Sequence, residues 1–230
     1  MITIVRLSAV LIGGPRYWLL PLLPLPWLAL QAILLVTGRK TGFEPAAVQN
    51  ILVGTPLSAL AVFLGSRIIA GELDEHTLEI AYTVPAGAHR VWLGKLAAAG
   101  LILLASLSLM AVLTFTFFTG FPVVQTLYGA AQGAGFCLAL TMGLATLFRS
   151  GTSGTVATIG LLGLGAVIPP LFALLLRISP FWNPLTVQGA DADQLLAMAV
   201  RNRIGYALVI AAIVALTFAR AERRERMLSG

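Results

Sequence analysis

Charged residues are scarce in this sequence. Only 10% of its 230 residues are Asp, Glu, Lys or Arg, whereas 58% are hydrophobic and the mean hydropathy is +0.93. Soluble domains carry about 25% charged residues, so these few charges could not cover the surface of a water-soluble globule. Lipid must therefore be much of the solvent of this chain. The length accommodates about six spans of ~20 residues in one membrane domain (residues 1–230), with no room for a second soluble domain of ordinary size.

Cysteine and histidine are also rare. The single cysteine, Cys137, lies in an apolar stretch and cannot form an intramolecular disulfide. His76 and His89 are too few to make a metal site. The net charge of +6 is not concentrated in a basic patch with interleaved aromatic residues, so nothing indicates a nucleic-acid partner. We expect no metal and no nucleic acid.

Sequence signatures of catalytic and nucleotide sites are missing as well. The chain has no H-E-x-x-H and no G-x-S-x-G, and it has no paired acidic motif near a membrane face. No predicted span contains Asp, Glu, Lys, Arg or His away from its ends. This argues against an ion-coupled transporter. The loop Ser150–Gly154 has no lysine after its second glycine, so it is not a Walker A loop. We therefore expect no catalytic residue and no cofactor on this chain, and any ATP and Mg that drive it would bind a partner.

Long apolar runs predict an all-α integral membrane protein with six transmembrane helices. The predicted spans are 17–37, 46–66, 96–119, 123–148, 155–176 and 204–219. Pro21, Pro24 and Pro26 predict that the first half of the first span is kinked or partly non-helical. Residues 1–16 are too short to span a membrane, and we interpret them as an N-terminal interfacial helix rather than a cleaved signal peptide.

Basic residues are distributed unevenly between the two predicted sides. The side of the termini holds Arg6, Arg16, Arg67, Arg90, Lys95, Arg149, Arg220, Arg223, Arg224 and Arg226. The opposite side holds Arg39, Lys40, Arg177, Arg201 and Arg203. Because cytoplasmic loops carry an excess of Lys and Arg, we expect both termini in the cytoplasm and a multi-pass protein of the bacterial cytoplasmic (inner) membrane. Arg201 and Arg203 are expected in the outer interface, where arginine side chains can snorkel to head groups.

The longest charged stretch, Ser66–Lys95, connects the second and third predicted spans. Its acidic residues precede its basic ones. On a helix over Glu72–Ala81, four polar side chains would share one face: Glu72, Glu75, His76 and Glu79. Anionic head groups would repel an acidic face at the membrane surface, so we predict a docking surface for a basic protein groove. A solvated charged loop is the alternative.

The same stretch resembles the loop between the second and third spans of ABC-2 type permeases, the transmembrane subunits of type V-like ABC exporters. The residues that carry the resemblance are Glu72, Thr77-Leu78-Glu79, Pro85, Arg90 and Gly94-Lys95. His76 stands where the family pattern often has glycine. The arrangement of spans agrees with that family over nearly the whole chain, including a re-entrant-looking outer segment before the last span.

The resemblance implies a coupling helix between spans 2 and 3 and an assembly of two permeases with two ATPases. The ATPase-coupling residues would be Glu72, Glu75, His76, Thr77, Leu78, Glu79, Pro85 and Arg90. The partners would be a cytoplasmic ABC ATPase subunit, a second permease copy or paralogue, and the lipid bilayer. The cargo would be an amphiphile, a lipid-linked glycan, a peptide or a drug. It would leave the cytoplasm.

A polar stripe lies on the fourth predicted span. Its members are Gln125, Tyr128, Gly129, Gln132 and Gly133. Gly129 and Gly133 are spaced for close helix approach. The stripe is either a wall of the translocation path, a permease–permease interface, or helix packing inside one subunit.

Two other functions are compatible with the sequence. The chain could be an ion-coupled or passive transporter that is complete in itself, or a membrane assembly subunit that transports nothing. An ATPase in a neighbouring reading frame would favour the exporter.

Overall fold

The computed structural model of the chain describes residues 2–74, 88–167, 179–187, 189 and 191–223. These residues form helices and contain no strand, which confirms the predicted all-α class. Within them, five helical segments are long and apolar enough to cross a membrane: Arg6–Val36, Pro45–Ile68, Ala88–Phe117, Val123–Phe148 and Asp193–Ala221. A shorter apolar helix includes Gly151–Leu164, and the rest of the predicted span 155–176 extends beyond the described residues. The chain is an apolar, multi-helical membrane protein.

The N-terminal segment changes its helix type along its length. It consists of α1 (Ile2–Gly13), a 3-10 helix (Gly14–Leu22) and α2 (Leu25–Val36). Arg16 has non-helical dihedral angles, and Pro21 lies inside the 3-10 stretch. The predicted irregular first half of span 1 is therefore confirmed, because proline cannot donate the backbone hydrogen bond of a regular α-helix.

The second segment contains a local π-helix. Its parts are α3 (Pro45–Ala47), the π-helical stretch (Val48–Gly54) and α4 (Thr55–Ile68). The backbone N–H of Thr55 and its hydroxyl both donate to the carbonyl of Asn50, the hydroxyl at 2.7 Å. Pro56 therefore follows the π-helical stretch closely, at the second residue of α4. Such stretches occur often at functional sites.

The remaining helices are α5 (Ala70–Asp74), α6 (Ala88–Phe117), α7 (Val123–Phe148), α8 (Gly151–Val167) and α9 (Ala192–Ala221), with a 3-10 turn at Pro184–Thr186. The start of α7 at Val123, after Gly120-Phe121-Pro122, agrees with prediction. Two predicted spans begin later than the helices that contain them. The helix α6 begins before the predicted 96–119, and α9 begins well before the predicted 204–219.

α7 is the central helix of the fold, and α4, α8 and α9 all pack against it. Gly65 of α4 lies so close to α7 that an added Cβ would be 2.6 Å from the Leu138 carbonyl oxygen. A Cβ on Gly154 of α8 would collide with the backbone of Ala145. These glycines let the backbones of α4 and α8 approach α7 directly, as small residues do in membrane helix pairs.

Candidate functional site

A buried ion pair lies where the charged stretch meets the helical bundle. Lys95 on α6 donates from Nζ to Glu72 Oε1 at 2.8 Å, and Trp92 Nε1 donates to Glu72 Oε2 at 3.0 Å. Glu72 is 7% exposed, Lys95 is 3% exposed and Trp92 is fully buried. Both carboxylate oxygens are thus engaged, which a buried charge requires. The contact joins α5, directly after α4, to the first turns of α6.

A second contact joins α5 to α8. Asp74 Oδ2 accepts a hydrogen bond from the backbone N–H of Gly151, at 3.1 Å. Gly151 is the first residue of α8, so the carboxylate caps the positive end of that helix. We call Glu72, Asp74, Trp92, Lys95 and Gly151 the junction. The junction ties both ends of segment 75–87 to the bundle, since α5 precedes the segment and α6 follows it.

The expected outward-facing position of Glu72 is wrong. Its side chain is buried against α6 because Lys95 and Trp92 satisfy it there. Arg90 is exposed, as a contact residue would be. The described part of the predicted helix 72–81 ends at Asp74. The other predicted coupling residues lie outside the described residues: Glu75, His76, Thr77, Leu78, Glu79 and Pro85.

A polar cluster joins α7 to α9. Gln132 Nε2 donates to Asn202 Oδ1 at 2.9 Å, and Arg203 NH1 donates to Gln132 Oε1 at 3.2 Å. The Arg203 guanidinium carbon lies 4.9 Å from the centre of the Tyr128 ring, in a cation–π arrangement. Asn202 Nδ2 donates to the backbone carbonyl of Ser179 at 3.0 Å. Both functional ends of the Gln132 amide are used, so its orientation is fixed.

The segment 179–183 inserts between this cluster and the second helical segment. Phe181 packs against Gly133, where an added Cβ would be 2.8 Å from the ring. Gln49 of the π-helical stretch donates from Nε2 to the Trp182 carbonyl at 3.0 Å and fills the space beside Gly129. Carbonyl oxygens of the inserted segment therefore accept hydrogen bonds from side chains. Irregular backbone buried in a membrane requires such partners.

The five residues of the predicted polar stripe fall into two groups. Gly129, Gln132 and Gly133 are buried in contacts within this chain, which is the packing alternative. Gln125 and Tyr128 are exposed on α7. Their role in a translocation path or dimer interface stays a prediction.

Three further polar residues of this region were not predicted from the sequence. Gln49 and Asn202 are buried and hydrogen-bonded, and Asn183 donates from Nδ2 to the Ala46 carbonyl at 2.8 Å. An amide side chain inside an apolar run is a usable signal, because burial there requires a hydrogen-bond partner. The partners themselves are distant in sequence and could not be identified from it.

The described parts of the chain contain no cluster of three or more His, Cys, Asp or Glu residues that could hold a metal ion. A cavity of about 430 Å³ lies between α2 and α6, and its lining is almost wholly apolar, including Leu28, Ala32 and Phe117. The residues that line this cavity offer no groups for covalent or acid–base chemistry. Comparison of the chain with known protein families, curated proteins and solved structures finds no match.

Proposed function

We propose that this chain is the membrane-spanning permease subunit of an ATP-driven exporter, of the ABC-2 type that its charged stretch resembles. The observation that carries the proposal is the junction. Segment 75–87 holds most of the predicted coupling residues. It is flanked by the buried contact of Glu72 with α6 and by the contact of Asp74 with α8. A merely solvated loop would not require a buried ion pair at its base.

Through the junction, a force applied to segment 75–87 would act on several helices at the same time. Glu72 follows α4 almost directly and is held by α6, and Asp74 is held by the N-terminus of α8. A cytoplasmic ATPase that moved the segment would therefore pull on three packed helices. ATP and Mg would bind that ATPase, because the chain carries no Walker A sequence.

The finer features of the proposal are expectations from the sequence and from its resemblance to ABC-2 type permeases. They are six spans, a coupling helix, both termini in the cytoplasm, location in the bacterial inner membrane, and a second permease copy or paralogue. The five long apolar helices and the shorter apolar helix at Gly151–Leu164 are compatible with six spans. The resemblance implies an amphiphilic, lipid-linked, peptide or drug-like cargo.

The structure offers little support for the alternative function, an ion-coupled transporter that is complete in itself. Arg203 does lie inside a long apolar helix, but an arginine side chain does not release its proton in proteins. The only other ionisable pair buried among the described residues, Glu72 with Lys95, is already neutralised internally. A proton relay would need a group that can change its charge.

The test is purification of the chain in mild detergent, with identification of the proteins that co-purify. We expect an ATPase that binds the wild-type chain, while the chain alone hydrolyses no ATP. The variant Glu79→Lys should weaken ATPase association by about tenfold, since like charges facing each other at an interface are strongly unfavourable. Stimulated hydrolysis and transport should fall with it.

Glu44→Lys is the matched control, because it makes the same charge change at an exposed residue before α3. It should leave association unchanged. The proposal fails if no ATPase co-purifies, if the isolated chain hydrolyses ATP, or if Glu79→Lys and Glu44→Lys behave alike.

A further inference from the structure

Arg203 has no ion-pair partner among the described residues. It lies well inside the 30-residue helix α9, and its side chain is partly exposed. Its contacts are the Gln132 amide oxygen, at 3.2 Å from NH1, and the face of Tyr128. Across the described ranges, no carboxylate lies within ion-pair distance of it. A guanidinium has five N–H donors, so most of them remain available.

The guanidinium is also held in place. Gln132, which accepts from it, is itself fixed by Asn202 at 2.9 Å and by the Pro180 carbonyl at 3.3 Å. The guanidinium also lies over the ring of Tyr128, which is half exposed. The donors that Gln132 does not use are thus preorganised, which reduces the entropy lost when a ligand binds.

The surroundings of this cation are apolar. On α9 the neighbouring Val200, Ile204 and Leu208 are exposed, and on α7 Val124 is 84% exposed. Such a surface belongs in contact with acyl chains. A ligand that satisfies both features has an anionic head group and apolar tails.

The depth of Arg203 agrees with a head-group position. From Arg203 to Arg220 the helix α9 rises about 25 Å at 1.5 Å per residue. The hydrocarbon core of a bilayer is about 30 Å thick. With Arg220 near the head groups of one face, Arg203 lies close to those of the other.

We propose that Arg203 and Tyr128, positioned by Gln132, bind the phosphate head group of an anionic phospholipid at the membrane face opposite to Arg220. Arginine matches phosphate oxygens with two parallel hydrogen bonds. The tails would lie along the exposed side chains of α9. The site does not depend on what the protein transports.

The experiment compares lipid retention by the purified full chain in nanodiscs of phosphatidylcholine with and without phosphatidylglycerol. The lipid that stays bound is counted by native mass spectrometry, and the melting temperature is measured in parallel. Wild type should retain phosphatidylglycerol about tenfold better than phosphatidylcholine, equivalent to about 1.4 kcal/mol. Arg203→Gln should abolish the preference, and Arg203→Lys should keep part of it.

Arg201→Gln is the matched control, since Arg201 is exposed, lies two residues away and carries the same charge. It should keep the preference. If Arg203→Gln does not fold, Tyr128→Leu removes the ring from an exposed position and should still reduce the preference severalfold.

Four results would overturn the proposal. The first is an unchanged lipid preference in Arg203→Gln, or in Tyr128→Leu if Arg203→Gln does not fold, and the second is an equal loss of preference in Arg201→Gln. The third is an increase in the melting temperature of the wild type with inorganic phosphate alone that equals the increase with phosphatidylglycerol. The fourth is a changed oligomeric state of Arg203→Gln without a change in its lipid retention. The third would indicate a site for free anions. The last would indicate that a carboxylate of a second copy is the counter-ion.

Discussion

Removing one member of the Glu72–Lys95 pair should destabilise the protein more than removing both. Lys95→Met leaves the Glu72 carboxylate buried with the Trp92 N–H as its remaining junction contact. Glu72→Gln leaves a buried ammonium without its counter-ion. Loss of one partner of a buried ion pair costs about 3 to 5 kcal/mol. Replacing both partners is often nearly neutral, because no uncompensated charge is left.

The assay is thermal unfolding of the purified chain in mild detergent, followed by the loss of monodisperse protein. For chains of this size, 1 kcal/mol corresponds to about 2 to 4 °C. Each single variant should therefore lower the melting temperature by about 6 to 20 °C. The double variant Glu72→Gln with Lys95→Met should recover most of that loss.

Lys40→Met is the control for the loss of a lysine. Lys40 Nζ donates to Gln31 Oε1 at 2.8 Å and is only partly buried, with no carboxylate facing it among the described residues. Its replacement should cost about 1 kcal/mol or less. If the two junction variants are no worse than Lys40→Met, or if their effects simply add in the double variant, the coupled buried pair is refuted.

Two further predictions concern packing and topology. Gly154→Val should lower the melting temperature strongly, because its side chain would collide with the Ala145 backbone. Gly160→Val, on the same helix, meets open space and should be tolerated. Equal effects of the two variants would contradict the close packing of α8 on α7. A reporter fused after Gly230 and a protease site inserted near Gly87 should both be cytoplasmic, as the distribution of basic residues predicts, and an external Gly87 site would rule out the six-span topology.

Helix positions were predictable where the apolar run and its boundary signals coincide. The start of α7 is an example, since a Gly-Phe-Pro turn precedes Val123 directly. The predicted boundaries of α6 and α9 are displaced because the apolar runs end at Lys95 and Arg203, whereas the helices continue past both residues. Each of these residues lies inside a helix and is paired with a residue distant in sequence. Lys95 forms an ion pair with Glu72, and Arg203 donates a hydrogen bond to Gln132.

The candidate site shows the same limit more sharply. The helical spacing of four polar residues predicts a shared face for Glu72, but spacing does not show what packs against that face. Glu72 is buried because Lys95 and Trp92 satisfy its carboxylate. Gln49 contacts a carbonyl more than a hundred residues away, at Trp182. Such a pairing depends on how the segments pack together, and a single sequence contains no signal for it.

Differences in packing indicate which parts of the fold can move relative to one another. α4 and α8 approach the backbone of α7 through Gly65 and Gly154, with no side chain between. α9 instead meets α7 through side chains, as where Gly143 faces Thr217 and Ile213, and it buries little of its surface. Close backbone packing resists sliding, whereas side-chain contacts can be exchanged.

The junction acts on the closely packed part of the fold, because Glu72, Asp74 and Lys95 connect to α4, α8 and α6. Arg203 lies on the loosely packed helix, held to α7 by hydrogen bonds through Gln132. A displacement applied at segment 75–87 would therefore move the closely packed helices together. Its first effect on the opposite face would be a change in the contacts between α7 and α9, where the proposed lipid head group lies.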